Sequence, residues 1–168
     1  IKRVMDMSLE LLAQYNLKPF TGKSDHRFSN EELSSDQARI IGCDPDFCAY
    51  GEDDEPRKRE AFDISKLGNW RYVGGHLHFG YDKTLIPEHV MVRLIDACVY
   101  LPLVNRDKQR GRRSMYGLAG LYRDKPYGVE YRTMSSFWLG DPMIVARPSF
   151  NLLYDLETNL DQLHAFYM

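Results

Sequence analysis

The sequence predicts an α+β fold, in which a curved and mainly antiparallel sheet carries polar side chains on its concave face and helices on its convex face. Two segments, 71–81 and 127–135, alternate polar or small residues with apolar ones at a period of two, as half-buried strands do. The segment 87–104 begins with proline and has apolar residues at helical spacing, which predicts a helix packed against the sheet. In 136–168, helical spacing interrupted by two prolines predicts two or three helical pieces that cover the sheet.

The N-terminal part of the chain contains weaker structural signals. Residues 3–15 carry apolar side chains on one broad face and predict an amphipathic helix, and a short helix is expected around 31–39. The segment 39–50 has the apolar character of a buried strand, but Pro45 in its middle implies an edge, a bulge or a break. In 51–60, acidic and then basic residues predict a solvated loop.

Composition limits the class of partner. The 168 residues carry a formal net charge of −2, and acidic and basic residues are interspersed. This gives no general electrostatic basis for binding nucleic acid or an anionic membrane, so any anion site must be local. No apolar run approaches the roughly 20 residues that cross a bilayer, and the N-terminus lacks the pattern of a secretory signal. We therefore expect a soluble, cytoplasmic protein.

The three cysteines, Cys43, Cys48 and Cys98, are an odd number and lack the paired spacing of a zinc site. We expect them to be buried thiols in a reducing compartment. A disulfide framework is not predicted.

A pair of histidines, His76 and His78, lies in the first alternating segment, on the face opposite its apolar residues. Two imidazoles on a rigid strand can share a metal or bind a phosphate, and the alternative is a pair of hydrogen-bonded core histidines. Glycines flank the pair and favour a ligand, because glycine in a strand often marks the close approach of another group. These glycines are Gly74, Gly75 and Gly80. The histidine pattern alone also fits a metallohydrolase.

In the second alternating segment, Glu130 and Arg132 point the same way. They can form a simple charge pair, or they can face a metal and an anion respectively. The basic segment 106–113 also has two interpretations. It is either a solvated loop or a place where Arg112 and Arg113, at the edge of the same sheet, neutralise phosphate oxygens through bidentate guanidinium contacts.

Two aspartates, Asp44 and Asp46, flank Pro45. Their carboxylates can ligate a hard cation, or they can cap and turn the chain. The sequence contains no P-loop, no dinucleotide-binding glycine motif and no nucleophile elbow. A nucleotide would therefore have to bind through metals and arginines.

The order of these motifs resembles that of the phage-type carboxylate-amine ligases, type 2, of the glutamine synthetase and glutamate-cysteine ligase superfamily. The resemblance runs from about residue 39 to residue 138 and rests on the stretches "GCDPD", "GGHLHFGY", "GRR" and "YGVEYRTMSSFW". It implies a sheet of the glutamine synthetase catalytic type in a single ligase domain over 1–168. The family has an upstream first strand with further acidic ligands. Because the chain starts at Ile1 within a helical pattern, we expect that strand region to be missing.

The resemblance also implies a role for each polar side chain. Residues that match metal ligands are His76 and Glu130, together with Asp44 and Asp46 from the acidic strand before the histidines. Residues that match contacts to the nucleotide phosphates are His78, Arg112, Arg113 and Arg132. Residues that match the catalytic set around the transferring phosphoryl group are Arg112, Arg113 and Glu130.

The activity implied is ATP-dependent ligation of a carboxylate to an amine, with Mg²⁺ or Mn²⁺. The carboxylate would attack the γ-phosphate of ATP, and the amine would then displace phosphate from the acyl phosphate to give an amide and ADP. Substrates would be small-molecule or peptide carboxylates and amines. The protein would act in the cytoplasm, that of the host if it is phage-encoded, alone or as a homo-oligomer.

Three alternatives belong to other classes. A metal-dependent hydrolase would use the same histidines and would not need the arginines. A non-catalytic structural subunit with a degenerate ligase fold would not bind nucleotide. A kinase would share the ATP site but release a stable phosphorylated product.

Overall fold

A computed structural model describes residues 2–17, 24–40, 46–53, 55–58 and 64–160. The predicted α+β class is confirmed, because helices occur together with a mainly antiparallel sheet. The helices are α1 (Lys2–Gln14), α2 (Asp36–Arg39), α3 (Glu88–Ile95), α4 (Arg110–Met115) and α5 (Met143–Thr158). The strands are β1 (Asp25–Arg27), β2 (Phe47–Cys48), β3 (Arg57–Lys58), β4 (Trp70–Tyr72), β5 (Leu77–Gly80), β6 (Leu121–Lys125) and β7 (Gly128–Tyr131).

Within the described residues, the larger sheet has five strands in the order β3-β2-β6-β7-β5, and each neighbouring pair is antiparallel. Strands β1 and β4 form a separate two-stranded antiparallel sheet. A hairpin turn at Pro126 and Tyr127 brings β7 back beside β6, and β7 begins at Gly128 with a φ of 144°. A Cβ at Gly128 would lie 2.0 Å from the Phe79 carbonyl oxygen, so only glycine fits where β7 starts beside β5.

The strand register divides the large sheet into a polar and an apolar face. His78 of β5 lies opposite Glu130 of β7, and Glu130 lies opposite Arg123 of β6. Because residues paired across antiparallel strands share a face, these three side chains point to the same side. Phe79 and Val129 are paired on the other side, and both are buried. The division of faces predicted from the alternation is confirmed for β5 and β7.

The single strand predicted over 71–81 is wrong, because the structure divides this segment between two sheets. Strand β4 ends at Tyr72 in the small sheet, and β5 begins at Leu77 in the large one. Between them, Gly74 forms a bridge to Ser135, and the Gly75 amide donates a hydrogen bond to the Met134 carbonyl at 3.0 Å. These contacts turn the chain from one sheet to the other, so His76 precedes β5.

A helical layer covers the apolar face. Helix α3 starts after Pro87, as predicted, and continues through a π-helical turn, Asp96–Tyr100, and a 3-10 turn, Leu101–Leu103. The 3-10 turn Ser136–Gly140 and α5 confirm the predicted helical pieces as far as residue 160. Full burial of one apolar side chain is worth roughly 1.5–3 kcal/mol, so this layer is a major source of stability. Its buried members include Val90, Met91, Val92, Ile95, Val99, Val145, Leu152 and Leu156. No helix within the described ranges is long and apolar enough to cross a membrane.

The expectations for the N-terminal part are met only in part. Helix α1 is present, but its apolar side chains Val4 and Leu11 are 66% and 55% exposed. The helix expected around 31–39 is limited to α2. The loop predicted over 51–60 contains β3, which pairs with β2. Strand pairing is made by backbone groups, and the pattern of side-chain charges gives no information about them. In 39–50, the described part contains only β2 as strand.

The prediction of buried thiols is confirmed for Cys48 and wrong for Cys98. Both are free cysteines, and Cys98 is exposed. Cys98 lies in the π-helical turn, where Asp96, Val99 and Tyr100 are the buried residues. Cys43 falls in 41–45, outside the described residues.

Asp96 is a buried carboxyl group on the helix-covered side of the sheet. It is 6% exposed, and the Tyr131 hydroxyl donates a hydrogen bond to its Oδ1. Burial raises the pKa of Asp96, and hydrogen bonds from the Tyr131 and Tyr50 hydroxyls and the Gly120 amide only partly oppose this rise. The folded protein therefore retains this proton to a higher pH than the unfolded chain does.

We expect Asp96→Asn to change how stability depends on pH. An unfolded aspartate has a pKa of about 3.9, so the contribution of Asp96 is fully present below that pH and is lost as pH rises through the folded-state pKa. Urea unfolding of both proteins from acidic to neutral pH measures the difference in free energy of unfolding. Wild type minus variant should fall as pH rises, and a constant or rising difference would contradict the raised pKa.

Candidate active site

Six polar side chains meet on the polar face of the large sheet, around the centre of β7. Glu130 is flanked by His78 on one side and Arg123 on the other, as the register requires. The others lie two residues along the chain from one of these three, and alternate positions of extended backbone share a face. Among the described residues, the six are His76, His78, Arg123, Lys125, Glu130 and Arg132.

The Glu130 carboxylate is the buried anion of this set, at 5% exposed. Its Oε1 lies 3.2 Å from His76 Nδ1 and accepts a hydrogen bond from Arg132 Nη1. Its Oε2 lies 3.0 Å from Lys125 Nζ. Burial alone would raise the pKa of Glu130, but the hydrogen bond from Lys125 and the charges of Arg132 and Lys125 outweigh burial and hold the pKa below its usual range. Glu130 is therefore ionised at neutral pH.

His76 is neutral at the same pH. Burial lowers the pKa of His76 to about 4, and the charge of Arg132 acts in the same direction, whereas Glu130 opposes the shift. A neutral imidazole keeps a nitrogen lone pair, which is the form that ligates a metal. The two predicted metal ligands His76 and Glu130 are thus adjacent and in the protonation states that metal binding requires.

His78 is in a different environment from His76. It is exposed, and its Nδ1 lies 2.6 Å from the Tyr127 hydroxyl. The alternation in 127–135 sets Tyr127 with Val129 and so predicts that Tyr127 lies on the apolar face, which is wrong. Tyr127 belongs to the hairpin turn, and the regular alternation begins only at Gly128. Tyr127 is therefore a polar-face residue that supports His78 at the rim of the site.

The structure brings Arg112 close to His76. Arg112 is 2% exposed, and its guanidinium donates to the Thr133 carbonyl at 2.7 Å and to the Arg132 carbonyl at 2.9 Å. A Cβ at Gly74 would lie 2.7 Å from Arg112 Nη2 and 2.5 Å from His76 Nε2. Because glycine lacks this atom, the guanidinium and the imidazole can both lie against the same backbone. Arg112 thereby holds in place the segment that follows β7 and carries Arg132.

Arg113 points elsewhere. Its Nη2 donates to the Asp107 carbonyl at 2.6 Å, in the loop that precedes α4. The contacts of the described residues do not place Arg113 with Glu130. The phosphate contact of Arg113 remains a prediction.

Asp46, one of the two aspartates predicted as metal ligands, is not part of the central cluster. Asp44 lies outside the described residues, and Asp46 is exposed, with its Oδ1 3.9 Å from Arg123 Nε. Among the residues that the structure describes, no three His, Cys, Asp or Glu side chains lie close enough to hold a metal ion together. Their role as ligands remains a prediction.

Gly75 and Gly80 differ in whether the surrounding packing requires glycine. A Cβ at Gly75 would lie 2.3 Å from Trp138 Nε1 and 2.4 Å from the Ser135 carbonyl oxygen, so protein packing requires glycine there. A Cβ at Gly80 would meet only the Tyr127 carbonyl oxygen, at an ordinary 3.6 Å. Packing of the described residues does not require glycine at position 80, on the polar face beside His78.

Two cations of the site, Arg123 and Lys125, were not identified from the sequence. Both lie on β6, whose segment "LYRDK" alternates and is followed by the turn residues of "PYG". An alternating segment joined by a short turn to the Glu130 strand predicts a hairpin, and hairpin pairing would have placed both cations on the polar face.

The fold is α+β, and one face of its sheet carries a carboxylate, a neutral imidazole and several cations. This arrangement is compatible with a class of enzymes that act on anionic substrates. The chain matches a family of carboxylate-amine ligases over residues 67–164, which is more than half of its length. It belongs to this family, described as phage phiEco32-like COOH.NH2 ligase-type 2, and the resemblance inferred from its motifs is confirmed. No curated protein and no solved structure matches the chain.

We expect Gly75→Ala and Gly80→Ala to differ strongly in stability. In Gly75→Ala the added methyl group would clash with rigid backbone and with an indole ring. Overpacking of this kind costs typically 1–3 kcal/mol or more. The second places its methyl group at ordinary distance, so its effect should stay within roughly 0.5 kcal/mol. Urea unfolding of both variants measures the contrast. Equal destabilisation would show that the close packing around Gly75 is wrong.

Proposed function

We propose that the protein is an ATP-dependent ligase that activates a carboxylate as an acyl phosphate and passes it to an amine, with ADP and phosphate as by-products. We further propose that its sheet is of the glutamine synthetase catalytic type. The observation that carries the proposal is the ionised, enclosed Glu130 among cations and beside a neutral His76. Membership of the carboxylate-amine ligase family supports the reaction class.

The polar face suits the phosphates of a nucleotide. Arg123, Lys125 and Arg132 supply three cations on one side of the sheet, against the single buried carboxylate of Glu130. Charge-assisted hydrogen bonds to phosphate oxygens are among the strongest in proteins, and guanidinium groups match phosphate geometry. ATP can therefore be held here without a P-loop.

The same face has donors for a divalent cation. Glu130 supplies a carboxylate and His76 a neutral nitrogen, and we propose that these two residues hold Mg²⁺ or Mn²⁺. Asp46, which lies just before β2 with its Oδ1 3.9 Å from Arg123 Nε, would contribute a further carboxylate. When bound, the ion stabilises negative charge on the phosphoryl oxygens. Glu130 would then give up its contact with Lys125 or Arg132 in order to bind the ion. The released side chain would be able to contact a phosphate oxygen.

The remaining residues position the reacting groups. Arg132 neutralises oxygens of the transferring phosphoryl group as the substrate carboxylate attacks it. Arg112 keeps Arg132 in place through the carbonyls of Arg132 and Thr133. His78, held by Tyr127, contacts the nucleotide phosphates from the exposed rim. The amine then attacks the activated carbonyl, so no side-chain nucleophile takes part.

Trapping with hydroxylamine tests the reaction. The full-length protein, incubated with ATP, Mg²⁺, hydroxylamine and a panel of amino acids, should form hydroxamate and ADP in equal amounts. Glu130→Gln should abolish both products, because an amide is a much weaker ligand for a hard cation than a carboxylate. Circular dichroism would check that the nearly isosteric variant folds.

Glu88→Gln is the matched control, because Glu88 pairs with Lys83 at 2.6 Å at the start of α3 and not with the site. This variant should keep wild-type turnover. Release of AMP and pyrophosphate would show adenylation, and hydrolysis that needs metal but not ATP would show a hydrolase. Either result would exclude the acyl phosphate mechanism.

Arg132→Lys tests whether a guanidinium is needed at this position. Lysine keeps the charge next to Glu130 but removes the bidentate geometry, so turnover should fall by about tenfold or more while the melting temperature changes little. Arg93→Lys is a structural counterpart, because Arg93 donates to the Ala49 carbonyl at 3.0 Å on the other side of the sheet. That variant should lose stability and keep turnover per folded molecule. Loss of folding in Arg132→Lys at unchanged specific turnover would instead show a purely structural arginine.

A further inference from the structure

A cleft of about 410 Å³ opens beside the start of α4. Small-molecule sites commonly have volumes of about 300–1,000 Å³, so the cleft can hold a small ligand. Most of its lining comes from the basic segment 106–113, which the sequence allows to be either a solvated loop or an anion site. The described lining residues are Val104, Asn105, Asp107, Lys108, Arg110 and Arg113.

The cleft presents positive charge to solvent. Lys108 and Arg110 are exposed, and neither forms an ion pair with any residue that the structure describes. Asp107 is the acidic member of the lining, but it is fully buried, and its carboxylate is directed away to Ser135. Asp107 Oδ1 accepts from the Ser135 hydroxyl at 2.8 Å, and Oδ2 accepts from the Ser135 amide at 3.1 Å.

Buried hydrogen bonds determine the shape of the cleft. Asp107 also accepts from the Gln109 amide at 3.1 Å, which closes the loop before α4 upon itself. Its carbonyl accepts from Arg113 Nη2 at 2.6 Å, so the guanidinium is held at one place on the wall. A charged group fixed in this way loses little freedom when it binds a ligand.

We propose that this cleft binds a small anion that bears phosphate or carboxylate oxygens, at a site separate from the polar face of the sheet. Arg113 supplies the anchored guanidinium, and Lys108 and Arg110 supply charge at the opening. The site does not depend on the proposed ligase reaction. Arg112, the preceding residue of α4, contacts the carbonyls after β7, so adjacent residues of one helix serve the cleft and the sheet.

Amide NMR of the full chain tests the site residue by residue. The protein is titrated with inorganic phosphate and, separately, with succinate, at constant low ionic strength and with chloride as the reference anion. The amide signals of Lys108, Gln109 and Arg113 should shift and saturate with phosphate or succinate, and not with chloride. The stronger of the two responses identifies the ligand as a phosphate or a carboxylate compound.

Variants distinguish a built site from general attraction. The double change Lys108→Gln with Arg110→Gln should weaken binding at these amides by about tenfold or more, because two charge-assisted contacts are lost. Arg106→Gln removes an exposed cation of the same stretch that is outside the described lining, and should keep wild-type affinity. Arg123→Gln, on the sheet, should leave the cleft signals unchanged. Absence of saturable shifts, or equal weakening by Arg106→Gln and the double variant, would overturn the proposal.

Discussion

The enclosed carboxylate of Glu130 is the constraint on which the sheet and its site depend. Removing a charge from water costs several kcal/mol, and here the cost is offset by Lys125, Arg132 and His76 around the two oxygens. These partners come from β6, from the chain after β7 and from the chain before β5, so all three must be in register. A slip of one residue in β6 would turn Lys125 to the helix-covered face. The cluster that forms the candidate site therefore also selects the strand pairing.

The four residues after β7 connect this cluster to the rest of the fold. All of 132–135 are buried, and their backbone groups have specific partners. Arg112 donates to the first two carbonyls, the Gly75 amide to the third, and the Ser135 amide donates to Asp107. These hydrogen bonds matter because an unpaired buried polar group costs about 1–3 kcal/mol. The segment lacks the regular hydrogen bonds of a strand, but these contacts fix its backbone. Arg132 therefore has a defined orientation although it lies outside β7.

Sequence alternation predicted the faces of β5 and β7, because the side chains of an extended chain must alternate whatever their partners. It did not predict where alternation begins or ends. The break at Gly74 and Gly75 depends on Ser135, Met134 and Trp138, which are far away in the chain. Tyr127 was assigned to the wrong face because the turn precedes the regular strand. Arg123 was missed for another reason, because the hairpin of β6 and β7 was not inferred from the alternation of "LYRDK" and the turn residues that follow it.

The two histidines show how far a motif determines chemistry. Spacing of two residues places both on the polar face, and this much follows from the sequence. His76 lies against Gly74, Arg112 and Arg132, and burial with those charges keeps it neutral. His78, on β5 itself, is exposed and meets the hydroxyl of Tyr127. One short segment thus presents a neutral nitrogen next to Glu130 and a second imidazole at the rim. The division of roles arises from the residues that the fold packs against each ring. A methyl group added at Gly74 would clash with His76 and would leave His78 in place.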